Sequence, residues 1–155
     1  MIPVSVLSVN ISEVKGTVKQ AVEEIRLGNL GVEGDAHAGS WNRQASLLGR
    51  ESIRKFEKEA GRDVACGEFA ENITTEGLNL WETRPLDRFI SGELEMEVTQ
   101  IGKECHGSSC AIFREVGNCV MPKEGIFARV IHPGTLKAGD ILQYHKKKFV
   151  VHVVT

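Results

Sequence analysis

The sequence predicts a mainly β protein, a β-barrel decorated by a few short helices. Three observations favour this class: short β-branched and aromatic runs recur along the chain, only one segment has a clear helical pattern, and many of the 16 glycines cluster at corners between the runs. A length of 155 residues is typical of one domain, so residues 1–155 are predicted to form a single domain.

The clearest strand is Glu93–Gln100, because Leu94, Met96 and Val98 alternate with polar residues. This period of two is expected for a strand with one buried face. Further short runs predict strands at residues 2–9, 44–48, 126–131, 141–144 and 149–154. Turn signals at Pro133-Gly134 and Gly139-Asp140 lead us to expect an antiparallel meander in the C-terminal third.

The clear helix is Glu51–Ala60, which places Ile53, Phe56 and Ala60 on one face. Glu51 and Lys55 are spaced to pair, and Gly61 is a typical stop residue. Residues 18–27 also have helical propensity, but their β-branched residues would equally suit an irregular strand, so the residues alone leave that segment open.

Charge and composition exclude several classes of function. The chain has 19 basic and 21 acidic residues, a formal charge of −2, so we expect no nucleic-acid partner and no membrane partner. No apolar run approaches the about 18 residues that a spanning helix needs. The N-terminus lacks the pattern of a signal peptide, so a cytoplasmic location is expected, where the four cysteines would stay free of structural disulfides.

The segment Gly31–Gly39 is the first candidate for a functional site. It holds Asp35 and His37 among small residues and leads directly to Arg43 and Gln44. Small residues let a ligand approach the backbone, so we expect a functional polar patch here. The alternative is a tight turn in which Asp35 caps its own backbone. No phosphate-binding loop or dinucleotide fingerprint is present.

A second polar segment, residues 67–77, offers Asn72 and Thr74, whose amide and hydroxyl groups suit a heterocycle. Phe69 and Ile73 would anchor this loop in the core. A capped turn is the alternative interpretation. Taken alone, the segment favours that alternative.

Cys105 follows the end of the clearest strand, where functional residues often lie. Its neighbours Lys103 and His106 would favour the thiolate, the form that is nucleophilic and binds soft metals. The alternative is a zinc site formed by His106 and the cysteines at 105, 110 and 119, although the usual paired Cys-x2-Cys spacing is missing. Cys66 stands apart and is predicted to be a small buried residue.

Five motifs in this order resemble the MOSC family, named for the C-terminal domain of molybdenum cofactor sulfurase. They are residues 31–39 with Arg43-Gln44, residues 67–78, residues 98–106, residues 119–130 and residues 134–140. The resemblance implies a mostly β-stranded barrel in which residues 18–27 are extended. The chain resembles the small stand-alone type, without the extra N-terminal barrel of larger relatives.

The resemblance also implies a molybdenum-pterin cofactor, and no pyridoxal phosphate, with Cys105 as the functional cysteine. That cysteine would carry sulfur as a persulfide or ligate molybdenum. The cofactor brings a phosphate, a dithiolene and a pterin, so its site needs cations and hydrogen-bonding groups. The residues expected to bind it are Asp35, His37, Arg43, Gln44, Asn72, Thr74, Lys103, Lys123 and Arg129.

Three functions are compatible with this site. The first is handling of sulfur or molybdenum in cofactor maturation or delivery, with proteins of cofactor biosynthesis or molybdoenzymes as partners and a cysteine desulfurase as sulfur donor. The second is molybdenum-dependent reduction of N-hydroxylated compounds with an external electron donor. The third is storage of the cofactor without turnover. The sequence favours the first.

Overall fold

The computed structural model describes residues 1–102 and 123–148, which form eleven strands, one α-helix and one short 3-10 helix. The 3-10 helix is Leu80–Glu82. In chain order the other elements are β1 (Ile2–Ile11), β2 (Gln20–Val22), β3 (Glu24–Gly28), β4 (Gly31–Val32), β5 (Ala45–Gly49), α1 (Arg50–Ala60), β6 (Ile73–Glu76), β7 (Arg88–Ser91), β8 (Leu94–Ile101), β9 (Ile126–His132), β10 (Gly134–Lys137) and β11 (Ile141–His145). Within these ranges, no helix is both long and apolar enough to cross a membrane.

Seven strands close into a barrel in the order β11-β7-β8-β9-β5-β6-β1, and β1 pairs back onto β11. Neighbours in the barrel are antiparallel except β5 and β6, which are parallel. Strand β2 extends the sheet from β1, and β10, β3 and β4 form a second small sheet. The prediction of a mainly β barrel is therefore confirmed, as is the extended conformation of residues 18–27 that the resemblance implied.

Strand β5 is buried along its whole length because apolar groups cover both of its faces. Ala45 and Leu47 belong to the larger core cluster, together with residues from most barrel strands. Leu48 packs instead in a second cluster with Phe56 of helix α1 and Phe127 of β9. Helix α1 thus shields the outer face of β5, the strand that begins directly after Gln44.

Helix α1 matches its prediction closely, but one predicted contact within it is wrong. Gly61 ends the helix in the left-handed conformation at φ 69°, as expected. The Glu51–Lys55 pair does not form, because Glu51 accepts the Gly77 amide at 2.8 Å and Lys55 pairs with Glu124 at 2.7 Å. Partners from other elements replace the local contact.

The prediction of a C-terminal meander is also wrong for the described residues. Strand β9 pairs with β5 and β8, β10 pairs with β3, and β11 pairs with β1 and β7. The turn at Gly139-Asp140 is real, but it joins strands that belong to different sheets. Closing the barrel requires β11 to pair with the N-terminal strand, and this long-range pairing excludes a local hairpin. The strand predicted at 149–154 lies outside the described residues.

Candidate functional site

The loop between β4 and β5 is held from below by a buried ion pair. The Lys19 ammonium lies 2.7 Å from Oδ1 of Asp35, and both side chains are fully shielded from solvent. Asp35 also accepts hydrogen bonds from the backbone amides of Ser12 and His37, each at 3.0 Å. Burial alone would raise the pKa of Asp35, but its contacts with His37, Lys19 and the Ser12 amide outweigh that effect and hold the pKa well below its usual range. Asp35 is therefore an ionised anchor for the loop.

Gln44 lies at the other end of this loop, and its side chain forms hydrogen bonds with backbone groups. Its Nε2 donates to the carbonyls of Asn29 and Gly39, both at 3.0 Å, and its Oε1 accepts the Val130 amide at 2.9 Å. Gly31 lies against the same residue, since a Cβ there would be 2.5 Å from the Gln44 carbonyl oxygen. This glycine therefore admits the chain's own backbone, where the sequence led us to expect the approach of a ligand.

An open pocket of about 360 Å³ lies above this scaffold. It is lined by Asn29, Leu30, Ser40, Trp41, Asn42, Gln44, Arg129 and Val130. Trp41 is 36% exposed, and its indole Nε1 donates to the His37 carbonyl at 2.8 Å. A wall of this kind offers a large aromatic face with fixed orientation.

Cations gather around the Trp41 ring. The Arg43 guanidinium lies 4.8 Å from the ring centroid and 5.7 Å from that of Phe127, while Lys15 lies 5.6 Å from the Trp41 centroid. Within residues 1–102 and 123–148, no acidic side chain pairs with Arg43. Its hydrogen-bond donors are therefore free, among these residues, to bind an anion.

Arg129 on β9 lines the same pocket, but an acid already orients it. Its Nε and Nη2 donate to one oxygen of Glu97 at 3.1 and 3.0 Å, and Arg88 contacts the other oxygen at 2.6 Å. The acidic partner of Arg129 is therefore Glu97 of β8. The Arg129 side chain stays 51% exposed, with Nη1 unused by the residues described.

The end of β8 lies beside the pocket. Asn42 donates to the Gln100 side chain at 3.1 Å, and Thr99 contacts the Asn42 carbonyl. The Gly102 amide donates to the Gly125 carbonyl at 2.7 Å. The two chain segments that flank residues 103–122 therefore lie next to each other. Cys105, Lys103 and the alternative zinc ligands lie outside the described residues. In the described part, no group of three or more His, Cys, Asp or Glu side chains is arranged to hold a metal.

A family model described as the MOSC domain matches residues 34–143, more than two thirds of the chain. The chain belongs to the MOSC family. No curated protein matches this MOSC chain.

Solved structures share the MOSC fold of this chain. The YuaD protein from Bacillus subtilis is similar with a TM-score of 0.76 and 17% identity, over 95% of this chain and 98% of that one. YiiM from Geobacillus stearothermophilus has a TM-score of 0.73 and 22% identity, over 92% of this chain and 75% of that one. YiiM from Escherichia coli has a TM-score of 0.63 and 26% identity, over 97% of this chain and 72% of that one.

The structure separates the predicted site residues of this MOSC domain into two groups. Gln44 and Arg129 line the pocket, and Arg43 borders it through Trp41. Asn72 and Thr74 are fully buried, in a hydrogen-bonded network with Asn10, Ser46 and Glu71. Their polar groups therefore stabilise the barrel where β5 and β6 pair in parallel.

Two other predicted positions are placed on the helix side of the MOSC barrel. Lys123 is exposed, and its neighbour Glu124 bonds to Ser52 and Lys55 of helix α1. Cys66 was expected to be buried, but it is a partly exposed free thiol because it lies in the loop after helix α1.

Sequence reasoning missed Trp41 and Lys19. A tryptophan among the small and polar residues of a glycine-rich loop was the available signal for Trp41, because a large aromatic side chain has no evident core to join there. Lys19 carried no such signal. Its burial depends on Asp35, 16 residues later in the chain.

Proposed function

We propose that this MOSC protein binds a molybdenum-pterin cofactor at the Trp41 pocket and handles sulfur or molybdenum through Cys105 during cofactor maturation or delivery. The MOSC domain is associated with molybdenum cofactor binding in general. The observation that carries the proposal is the Arg43 guanidinium, which lies 4.8 Å from the Trp41 centroid and has no acidic partner among the described residues.

The described residues fit the organic part of this cofactor. A planar guanidinium matches a phosphate through paired hydrogen bonds, and a partly exposed indole offers apolar surface against which a pterin ring can pack. Arg43 supplies the first feature and Trp41 the second. Arg129 adds an Nη1 edge, with Glu97 fixing its direction. When bound, the cofactor would supply the redox-active metal, while these side chains bind and orient it.

Cys105 is the proposed sulfur-handling group. The MOSC resemblance implies a functional cysteine at this position, three residues after Gly102 in the sequence. In a transfer from a cysteine desulfurase, the Cys105 thiolate would attack the outer sulfur of the donor persulfide. A new persulfide forms on Cys105 and the donor cysteine leaves as a thiolate, so atoms and electrons balance.

The openness of the pocket supports a role in delivery. A ligand held in an open pocket keeps part of its surface exposed, and a partner protein can then take it over. Proteins of cofactor biosynthesis and molybdoenzymes are the proposed partners. Reduction of an N-hydroxylated base with an external electron donor would add a catalytic role, and bound cofactor without transfer or turnover would restrict the protein to storage.

Retention of the cofactor tests this proposal. The protein is expressed in a host that makes the cofactor, and molybdenum and pterin are measured after purification. We expect both in the wild-type protein, loss of both in Arg43→Ala, and retention in Arg54→Ala, which changes an exposed arginine of helix α1. Wild-type protein without pterin, or equal retention in the two variants, would contradict the proposal.

A further inference from the structure

We propose that the buried Lys19–Asp35 pair is a positioning device that fixes the His37 ring as its Nε2–H tautomer, so that His37 donates a hydrogen bond to an oxyanion bound beside Trp41. The inference deepens the proposed function and rests on it in treating this pocket as an anion site. Lys19 and Asp35 act through His37 and do not themselves touch the ligand.

All three hydrogen-bond donors of the Lys19 ammonium have partners inside the protein. They reach Oδ1 of Asp35 at 2.7 Å, Oγ of Ser12 at 3.1 Å and Nδ1 of His37 at 3.2 Å. An ammonium has three donors and no acceptor, so Nδ1 must present its lone pair to Lys19. The ring proton is then on Nε2.

Asp35 supports this arrangement through its second oxygen. Oδ2 accepts the backbone amide of His37 at 3.0 Å, while Nδ1 of the same residue lies 3.7 Å away, beyond hydrogen-bond distance. The carboxylate therefore holds the backbone of His37, and the ammonium holds its ring.

His37 lies next to the Trp41 pocket. Its carbonyl accepts the indole Nε1 of Trp41 at 2.8 Å, and the two rings are nearly parallel, with 10° between their planes and 6.5 Å between centroids. The His37 side chain is 24% exposed, and none of the described residues accepts a hydrogen bond from its Nε2. The charged groups around this corner are Lys19 and Asp35 below the His37 ring and Lys15 and Arg43 at the Trp41 ring.

The chemistry of these donors specifies an oxyanion. Nε2–H and the Arg43 guanidinium can only donate, and the His37 ring and the Arg43 guanidinium both lie against the Trp41 indole. A phosphate or an oxomolybdenum group presents several acceptor oxygens and suits such a set. Because a tautomer in which Nδ1 carried the proton would present a lone pair at Nε2 and repel these oxygens, the Lys19 contact determines which ligands are accepted.

The tautomer can be read directly by NMR. Long-range proton–nitrogen correlation spectra of labelled wild-type protein are expected to show His37 protonated at Nε2 with an unprotonated Nδ1 that accepts a hydrogen bond. In Lys19→Met the proton is expected to shift toward Nδ1, which can then donate to Asp35. A wild-type ring protonated at Nδ1 would overturn the inference.

Two substitutions of His37 test the ligand contact while the Lys19 and Asp35 side chains themselves stay unchanged. Glutamine places its amide nitrogen close to the position of Nε2, whereas asparagine places its amide close to that of Nδ1. Inorganic phosphate and molybdate, titrated separately by NMR, serve as probes of a phosphate group and an oxomolybdenum group. We expect His37→Gln to bind within about threefold of wild type and His37→Asn to bind about tenfold more weakly, as for loss of a charge-assisted hydrogen bond. Equal affinities of the two variants would overturn the inference.

The same experiments separate this inference from the proposed function. Protein that shows the Nε2–H tautomer and the expected anion affinities, but holds no molybdenum-pterin after expression, contradicts only the proposed function. Protein that retains the cofactor but carries the Nδ1–H tautomer contradicts only the role of the buried pair.

Discussion

The Lys19 ammonium lies 2.7 Å from the Asp35 carboxylate, and neither side chain is accessible to solvent. The pair joins the segment before β2 to the loop between β4 and β5, so it ties together two parts of the chain that flank the pocket. Removing one partner of a buried pair leaves an uncompensated charge in a poorly solvated site, which costs far more than the pair itself contributes.

Asp35→Asn and Lys19→Met are therefore each expected to lower the free energy of unfolding by about 3–5 kcal/mol. The double variant should lose clearly less than the sum, because neither charge is left alone. Urea unfolding at pH 7 measures all three proteins. Strict additivity would show that the two charges do not compensate each other.

Glu71 and Asp35 should make the free energy of unfolding depend on pH in opposite directions. Burial raises the pKa of Glu71 above its ordinary 4.5, and its Oε1 has no partner among the described residues. At a pH above this ordinary pKa, the carboxyl ionises in the unfolded chain but stays protonated in the folded protein. The contribution of Glu71 to stability therefore falls as pH rises, until the pH passes the pKa of the folded state. Asp35 has the reverse sign, since its contribution is lost as pH falls through the acidic range.

Glu71→Gln is therefore expected to stabilise the protein more at pH 7 than at pH 4, because glutamine cannot ionise. Glu59→Gln, at an exposed position of helix α1, is the matched control and should change the two values equally. Melting temperatures across this range give the answer. A pH profile of Glu71→Gln parallel to that of the wild type would contradict the prediction.

Gln44→Glu should destabilise the protein although the two side chains have the same shape. The substitution replaces an amide that donates to the Asn29 and Gly39 carbonyls with an oxygen that repels both. A loss of about 2–4 kcal/mol is expected because two partly buried carbonyls lose their hydrogen-bond donor. Chemical denaturation measures the loss, and Gln20→Glu on the exposed strand β2 should cost almost nothing.

Arg43→Lys and Arg129→Lys should each weaken cofactor binding by about 1–3 kcal/mol, because lysine keeps the charge but not the planar fork. Thermal melts with and without cofactor separate binding from folding. We expect a smaller cofactor-induced rise in melting temperature for both variants and no change for Lys146→Ala, at an exposed position after β11. If Arg129→Lys lowers only the apo melting temperature, its pair with Glu97 serves the fold alone.

Cys105→Ser is expected to abolish persulfide loading, because a hydroxyl is a far poorer acceptor of sulfur than a thiolate. Mass spectrometry after incubation with a cysteine desulfurase would show the added sulfur on wild-type protein and none on the variant. Cys66→Ser, at the partly exposed thiol after helix α1, should load normally. Added sulfur on Cys110 or Cys119 would move the function to another cysteine.

Much of the fold was predictable because its signals are local. The alternation of Leu94, Met96 and Val98 predicts β8, and the spacing of Ile53 and Phe56 with Gly61 predicts helix α1. The pairing of the last strands was not predictable in this way. Turn residues report that the chain reverses, but they do not report which strand it then meets, and barrel closure brings β11 to β1 from the opposite end of the sequence.

For the site, the sequence by itself determined which kinds of group are present: the cations, the amides, Asp35 with His37, and the family to which their motifs belong. Only the tertiary structure decided their roles. In the folded protein Asn72 and Thr74 are buried, the Gln44 side chain is hydrogen-bonded to the backbone, and Arg43 lies beside Trp41. The physical reason is that a polar side chain is free for a ligand only if its hydrogen-bond partners within the protein are absent, and those partners, such as Lys19 for Asp35 or Val130 for Gln44, are brought close by folding and not by sequence.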